Sequence, residues 1–69
     1  MTNVVLKRSP TELFKILKFE GLASSGAEAK MVIASGIVKV NGKTETQKRK
    51  KIVAGDTIEF DGNVLEISE

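Results

Sequence analysis

Apolar positions that recur at helical spacing predict the first helix of the chain. The stripe consists of Leu13, Ile16 and Leu17. Residues three or four positions apart share one face of a helix. Residues 9–12, Ser-Pro-Thr-Glu, have the spacing of a capping box, so Ser9 is expected to cap the helix and the proline to open it. Gly21 is expected to end it, because glycine readily adopts the left-handed conformation found past helix ends.

A second helix start follows almost at once. Residues 25–28, Ser-Gly-Ala-Glu, repeat the capping-box spacing, and Gly36 supplies a second stop. Between them lies another apolar stripe at helical spacing, made of Ala29, Val32 and Ile33. Small alanines in this segment permit close approach, so we expect an angled pair of short helices joined by a tight turn.

From residue 37 the apolar period changes from helical to extended. Residues 37–40, Ile-Val-Lys-Val, run into Asn41-Gly42, the pair most favoured in a type I′ turn. A returning strand is expected over residues 43–46. This pattern predicts a β-hairpin.

Two later segments, 57–60 and 64–67, alternate in the same way around a turn at residues 61–62. Near the start, residues 4–6 form a short β-prone run, which predicts an edge strand or an ordered arm. The sequence therefore predicts an α+β fold with two short packed helices against a small antiparallel sheet. Because there is no internal repeat or linker, residues 1–69 are interpreted as a single domain.

Composition narrows the possible functions. Cysteine, histidine, tryptophan and tyrosine are absent, which excludes disulfides, thiolate or imidazole zinc sites and Ser-His-Asp catalysis. No nucleophile lies beside an identifiable base, so we expect no enzyme activity, no cofactor, no metal and no small-molecule substrate. No apolar run approaches the about 18 to 20 residues of a membrane span, so we expect a cytoplasmic protein that does not enter membranes.

The charge distribution is far from uniform although the net charge is only +2. Residues 39–51 carry six bases and one acid, whereas residues 52–69 carry five acids and no base. Because local field governs attraction to a polyanion, the basic segment is the first indication of a binding partner.

The strongest candidate site is residues 47–51, Gln-Lys-Arg-Lys-Lys, directly after the predicted hairpin. Lys39 and Lys43 flank the hairpin turn, and Lys30 lies on the second helix, so these bases are expected to form one positive surface. Phosphate backbones are the commonest targets of such surfaces. A plain alternative is a solvated loop whose charges keep a small protein in solution.

The aromatic residues bear on how a nucleic acid would be recognised. Phe14, Phe19 and Phe60 all fall in apolar patterns and are expected in the core. That expectation argues against an RRM sheet and against single-strand binding by stacking. Recognition of structured RNA through its backbone and shape fits better.

Taken together, several ordered blocks resemble the RNA-binding domain of ribosomal small-subunit protein S4, also called the alpha-L RNA-binding motif. The blocks are Gly-Leu-Ala-Ser-Ser (21–25), Glu-Ala-Lys (28–30) with Ile33, Gly-Ile-Val-Lys-Val-Asn-Gly-Lys (36–43) and Val-Ala-Gly-Asp-Thr-Ile (53–58). The match covers roughly residues 11–60. Glu-Thr before the basic cluster, at residues 45–46, most resembles the small stand-alone bacterial members.

The resemblance implies two packed helices, a curved antiparallel sheet and binding to structured RNA, usually ribosomal or transfer RNA, with ribosomal particles as possible partners. Carried over position by position, it implies an RNA-binding face of Ser24, Ser25, Lys30, Lys39, Asn41, Lys43, Lys48, Arg49, Lys50 and Lys51. Two positions depart from the family pattern, because many members have arginine at Gly26 and at Lys30. Without a bidentate guanidinium, contacts at the helix start should be weaker and the basic loop should dominate.

Two other interpretations remain open from the residues alone. One is a protein-interaction module, which would dock an acidic partner or pair its exposed N-terminal strand with another chain. The other is duplex DNA binding by the two helices. Lys30 is the only base on the second helix, which makes it a poor recognition helix.

Overall fold

The structure is a computed structural model, and it describes residues 2–69. The helices and strands follow one another along the chain as β1 (Thr2–Val5), β2 (Thr11–Glu12), α1 (Leu13–Phe19), α2 (Gly26–Ala34), β3 (Val38–Val40), β4 (Lys43–Thr44), β5 (Lys51–Ile52), β6 (Thr57–Phe60) and β7 (Asn63–Ser68).

Five strands form the main sheet, in the order β1-β7-β6-β3-β4. Strands β7, β6, β3 and β4 pair with one another in antiparallel fashion, as predicted. Strand β1 is the edge strand expected near the start, and it lies parallel to β7. The α+β class with two helices is confirmed, and the sheet is mixed because of β1. A separate pair of antiparallel strands joins β2 to β5.

The predicted start of α1 is wrong. The helix begins at Leu13, and Glu12 precedes it without a side-chain capping bond. Residues 11–12 are extended instead, because they pair with Lys51 and Ile52. Ser9 and the proline therefore lie before β2 and outside the helix.

The start of α2 follows the prediction. Ser25 caps the helix, and its hydroxyl accepts a hydrogen bond from the Glu28 amide at 3.1 Å. Both predicted helix ends are also confirmed, with Gly21 at φ 75° and Gly36 at φ 84°, each just after the helix. Short-range hydrogen bonding of this kind depends on adjacent residues, which explains why the sequence predicts it.

The hairpin turn between β3 and β4 is confirmed by its backbone. Asn41 and Gly42 have φ values of 54° and 81°, which are the two positive angles of a type I′ turn. Asp61 and Gly62 repeat this geometry between β6 and β7, at 51° and 78°. The first hairpin is shorter than predicted, since β3 starts at residue 38 and Ile37 is exposed.

Helices and sheet enclose one apolar core. Its buried side chains are Val4, Leu13, Ile16, Leu17, Ala23, Ala29, Ile33, Val38, Val40, Ile52, Ile58, Leu65 and Ile67. Phe14 and Phe60 pack partly against this core. Phe19 does not, and its 68% exposure contradicts the expected core position. It is the last residue of α1 and lies outside the buried stripe of Leu13, Ile16 and Leu17. Across residues 2–69, we find no helix with the length and apolarity needed to span a membrane.

Candidate nucleic-acid interface

The basic loop, defined as residues 47–51, is held by backbone hydrogen bonds to α1. The amides of Leu13 and Phe14 donate to the carbonyls of Lys50 and Lys48, at 2.9 and 3.2 Å. These amides are helix-start donors that have no partner within their own helix. The loop therefore caps α1, and its backbone is fixed while its side chains remain exposed.

A local turn fixes the other end of the basic loop. The Lys50 amide donates to the Gln47 carbonyl at 3.2 Å, and the Glu45 carboxylate accepts from the Gln47 amide at 3.0 Å. Among the described residues, the side chains of Lys48 and Lys50 form no ion pair. Both ammonium groups are thus available to an external anion.

Phe14 lies at the centre of a group of cations. Its ring centroid is 4.7 Å from Lys30 Nζ, 5.9 Å from Arg49 Cζ and 6.0 Å from Lys15 Nζ. Cations within about 6 Å of an aromatic centroid are attracted by the electrons of the ring. Lys30 of α2 and Arg49 of the basic loop therefore lie near the same ring. The sequence predicted that these two bases would share a surface, but it did not identify Phe14 as the residue between them.

The start of α2 adjoins the same ring. A Cβ placed on Gly26 would lie 3.7 Å from Cε2 of Phe14, an ordinary van der Waals contact. Ser24 and Ser25, which directly precede Gly26, therefore border the Phe14 cluster. The sequence did not identify Phe14 as a site residue, because in the pattern it only widened the apolar face of the first helix. Its position at the margin of that face was the one feature that could have indicated a role at the surface.

Both serine hydroxyls are already hydrogen-bonded within the chain. Ser24 donates from its hydroxyl and its amide to the Glu28 carboxylate, at 2.8 and 3.2 Å. These bonds, first from the hydroxyl and then from the amide, hold the pKa of the Glu28 carboxyl below its usual value. A phosphate at this helix start would meet the ionised Glu28, which supports the expectation that the basic loop dominates.

Glu12 places one acid beside the basic loop. Its carboxylate is 3.3 Å from Lys15 Nζ and 3.6 Å from Arg49 Nη1, and its side chain is only 14% exposed. Desolvation acts to raise the pKa of this carboxyl, but the Lys15 hydrogen bond and the charges of Lys15, Arg49 and Lys51 outweigh it and lower the pKa. Lys51 lies opposite Glu12 across the β2–β5 pair.

The hairpin lysines occupy a different environment. Lys39 is the outward residue between buried Val38 and Val40, so it points to the sheet face away from the core, opposite Glu59 of β6. Lys43 is paired with Val40 and is exposed. The contacts around Phe14 include neither hairpin lysine.

Asn41 is also engaged within the fold. Its side-chain amide donates to Asp56 Oδ1 at 3.0 Å, and its side-chain oxygen accepts from the Thr57 amide at 2.9 Å. Asp56 in turn accepts from the Val53 amide at 3.0 Å. The side chain therefore joins the hairpin turn to the turn before β6.

Metal ligation has no evident location in the part of the chain that the structure describes. No group of three or more Asp or Glu side chains converges there.

Comparison with known proteins gives consistent matches over nearly the whole chain. Residues 4–68 match a family model described as S4 domain. YbcJ of Escherichia coli (strain K12) is 51% identical over 61 residues, which cover 88% of this chain and 87% of YbcJ.

Two solved structures are similar in fold and in sequence. The solution structure of E. coli YbcJ, described as revealing an alpha-L motif involved in RNA binding, has a TM-score of 0.76 at 47% identity and covers 100% of this chain and 89% of that one. The crystal structure of 30S ribosomal protein S4e from Thermoplasma acidophilum has a TM-score of 0.68 at 32% identity. That match covers 84% of this chain but 31% of the ribosomal protein.

Proposed function

This chain belongs to the S4 domain family, and from that premise we propose that it is a non-enzymatic protein that binds structured RNA. Lys48 and Lys50 carry the proposal, since both are exposed and unpaired among the described residues on a backbone that α1 holds in place. A fixed backbone lowers the entropy cost of presenting cations to phosphates. The RNA motif of YbcJ supports the same function.

The RNA would be ribosomal or transfer RNA, bound in the cytoplasm, with ribosomal particles as partners. Similarity to a 30S ribosomal protein supports the ribosomal class. Residues 1–69 would act as one domain whose core match spans residues 11–60. Within it, the proposed RNA-binding residues are Ser24, Ser25, Lys30, Lys39, Asn41, Lys43, Lys48, Arg49, Lys50 and Lys51.

Their proposed roles differ with their surroundings. Four bases would contact phosphates. Two are Lys48 and Lys50, and the other two are Lys30 and Arg49, which lie near the Phe14 ring. Such contacts position RNA and give affinity without reading its sequence. The Phe14 ring packs partly against the core, so less of it is open to a stacked base than of an exposed ring. Recognition of a folded RNA backbone follows from this arrangement.

The direct test neutralises the two unpaired lysines. Lys48→Gln with Lys50→Gln should weaken binding to a stem-loop RNA about tenfold or more, because each lost phosphate contact removes counterion release. The fold should persist, since α1 bonds to the backbone carbonyls of these residues and not to their side chains. Affinity is measured by fluorescence anisotropy, and folding by circular dichroism.

A matched control lowers the net charge by the same amount elsewhere. Asn3→Asp with Asn63→Asp should leave the affinity within about twofold, because both residues are exposed on β1 and β7 and lie outside the proposed interface. If the two double variants weaken RNA binding equally, the change in net charge alone explains the effect. Unchanged RNA affinity in the Lys48 and Lys50 variant would contradict the proposal.

The free edge of β1 favours a second candidate, a protein-interaction module that pairs its edge strand with another chain or docks an acidic partner on its basic loop. This strand is at the end of the sheet, and its last residue, Val5, is 61% exposed. Exposed edges accept strands from other chains. Copurification of a partner that survives ribonuclease treatment would support this candidate, whereas ribonuclease-sensitive copurification supports RNA binding.

A further inference from the structure

A groove lies between β1, the segment that follows it and α1. Its volume is about 690 Å³, and its apolar lining includes Leu6, Ile16 and Phe19. Pockets that hold small molecules commonly have volumes of about 300–1,000 Å³. The exposed ring of Phe19 is therefore part of a concave surface large enough for a nucleotide.

The same groove is lined by four bases, namely Lys7, Arg8, Lys15 and Lys51. Two acids, Glu12 and Glu20, also line it. Glu12 already has Lys15 and Arg49 as ion-pair partners, so its charge is largely balanced within the protein. A surplus of positive charge remains around an apolar floor.

The groove is continuous with the proposed RNA interface. Lys51 is the last residue of the basic loop, and Lys15 approaches the Phe14 ring as well as lining the groove. A polyanion bound along the basic loop would thus reach the groove past Glu12, the acid at this junction, whose carboxylate already has Lys15 and Arg49 as partners.

We propose that the groove binds one unpaired nucleotide of the RNA held by the basic loop, an inference that rests on the proposed function. A nucleotide combines a flat apolar base with an anionic phosphate, which matches an exposed aromatic ring beside surplus cations. The base stacks on Phe19, whose 68% exposure leaves ring surface open although the Lys18 ammonium lies 5.3 Å from the ring centroid. Lys7 and Arg8 contact the phosphate.

Two RNA probes separate this site from the basic loop. One is a blunt-ended stem-loop, and the other is the same stem-loop with four unpaired adenosines at its 5′ or 3′ end. With the unmodified protein, one extension should raise the affinity about tenfold, the scale of a base stacked on an aromatic side chain. Anisotropy titrations at one fixed salt concentration measure both affinities.

Phe19→Ala should abolish the gain from the extension and leave the affinity for the blunt stem-loop unchanged. Met31→Ala is the matched control, because Met31 is equally exposed at 68% and lies on α2 outside the groove. It should retain the full gain. Phe19→Trp should retain it too, since the larger ring still stacks.

The possible failures are distinct. If neither stem-loop binds, the proposed function is wrong and this inference falls with it. If both bind equally, or if Phe19→Ala keeps the gain, RNA binding stands and the nucleotide site is wrong. A concentration-dependent dimer that Phe19→Ala dissociates would overturn the inference in favour of a second protein chain in the groove.

Discussion

Asn41 shows how one side chain serves both a turn and a contact between turns. Its φ of 54° is tolerated by asparagine better than by most residues, and its side-chain amide bonds to Asp56 and to the Thr57 backbone. The family resemblance implied an RNA contact at this position. With both ends of the amide engaged, a structural role accounts for asparagine here before any RNA is present.

Substitution separates the two structural contributions of Asn41. Asn41→Ala should destabilise the fold by about 2 kcal/mol, because it places alanine at a positive φ and removes two hydrogen bonds. Asn41→Gly keeps the turn and should cost about 1 kcal/mol. Urea unfolding monitored by circular dichroism measures both. Equal stability of the glycine variant and the unmodified protein would show that the amide bonds contribute nothing.

The Phe14 ring lies near two bases, Lys30 and Arg49, that are far from it in the sequence. Phe14→Leu keeps an apolar side chain against the core but removes the ring near Lys30 and Arg49. Without the ring, Lys30 and Arg49 are less well positioned before RNA binds, and this loss of preorganisation should weaken stem-loop binding about two- to fivefold. Phe60→Leu, at another partly buried phenylalanine, is the control and should leave affinity unchanged. An equal loss in both variants would point to general destabilisation.

At the scale of elements, the two helices differ in how far their starts could be predicted. The start of α2 depends on Ser25 and Glu28, three positions apart, so the sequence pattern sufficed. The start of α1 depends on carbonyls at residues 48 and 50, which only the folded chain brings near. The Phe14 cluster could not be predicted for the same reason, because Phe14, Lys30 and Arg49 are far apart in the sequence. Local hydrogen bonds can be read from neighbouring residues, whereas pairing of β2 with β5 cannot.

The junction between the basic loop and α1 makes charge reversal unequal within the loop. Arg49→Glu with Lys51→Glu places two new acids next to Glu12, whereas Lys48→Glu with Lys50→Glu does not. The first pair should therefore lower the melting temperature more, although both change the net charge equally. Adding Glu12→Lys to the first pair should recover part of the loss. Equal melting temperatures for the two pairs would contradict a stabilising role of Glu12.

At the scale of the whole molecule, the face of the sheet away from the core carries two acids, Glu59 and Glu66, and one base, Lys39, which lies opposite Glu59. Glu59 and Glu66 alternate with buried residues of β6 and β7, so they point away from the core. The Phe14 cluster lies on the helices at the other face. The acidic and basic stretches are neighbours along the chain, and the alternation of strand residues separates Glu59 and Glu66 from the bases around Phe14.

This separation leaves the basic side free to act as a polyanion-binding surface, and salt dependence measures how many phosphates it contacts. Four contacts predict a slope of log affinity against log salt of about −3 to −4. Lys48→Gln with Lys50→Gln should make the slope shallower by about 2, because each lysine accounts for about one contact. Asn3→Asp with Asn63→Asp should leave it unchanged. A slope near zero would mean that phosphate neutralisation does not drive binding, and an unchanged slope in the first variant would place the contacts away from the basic loop.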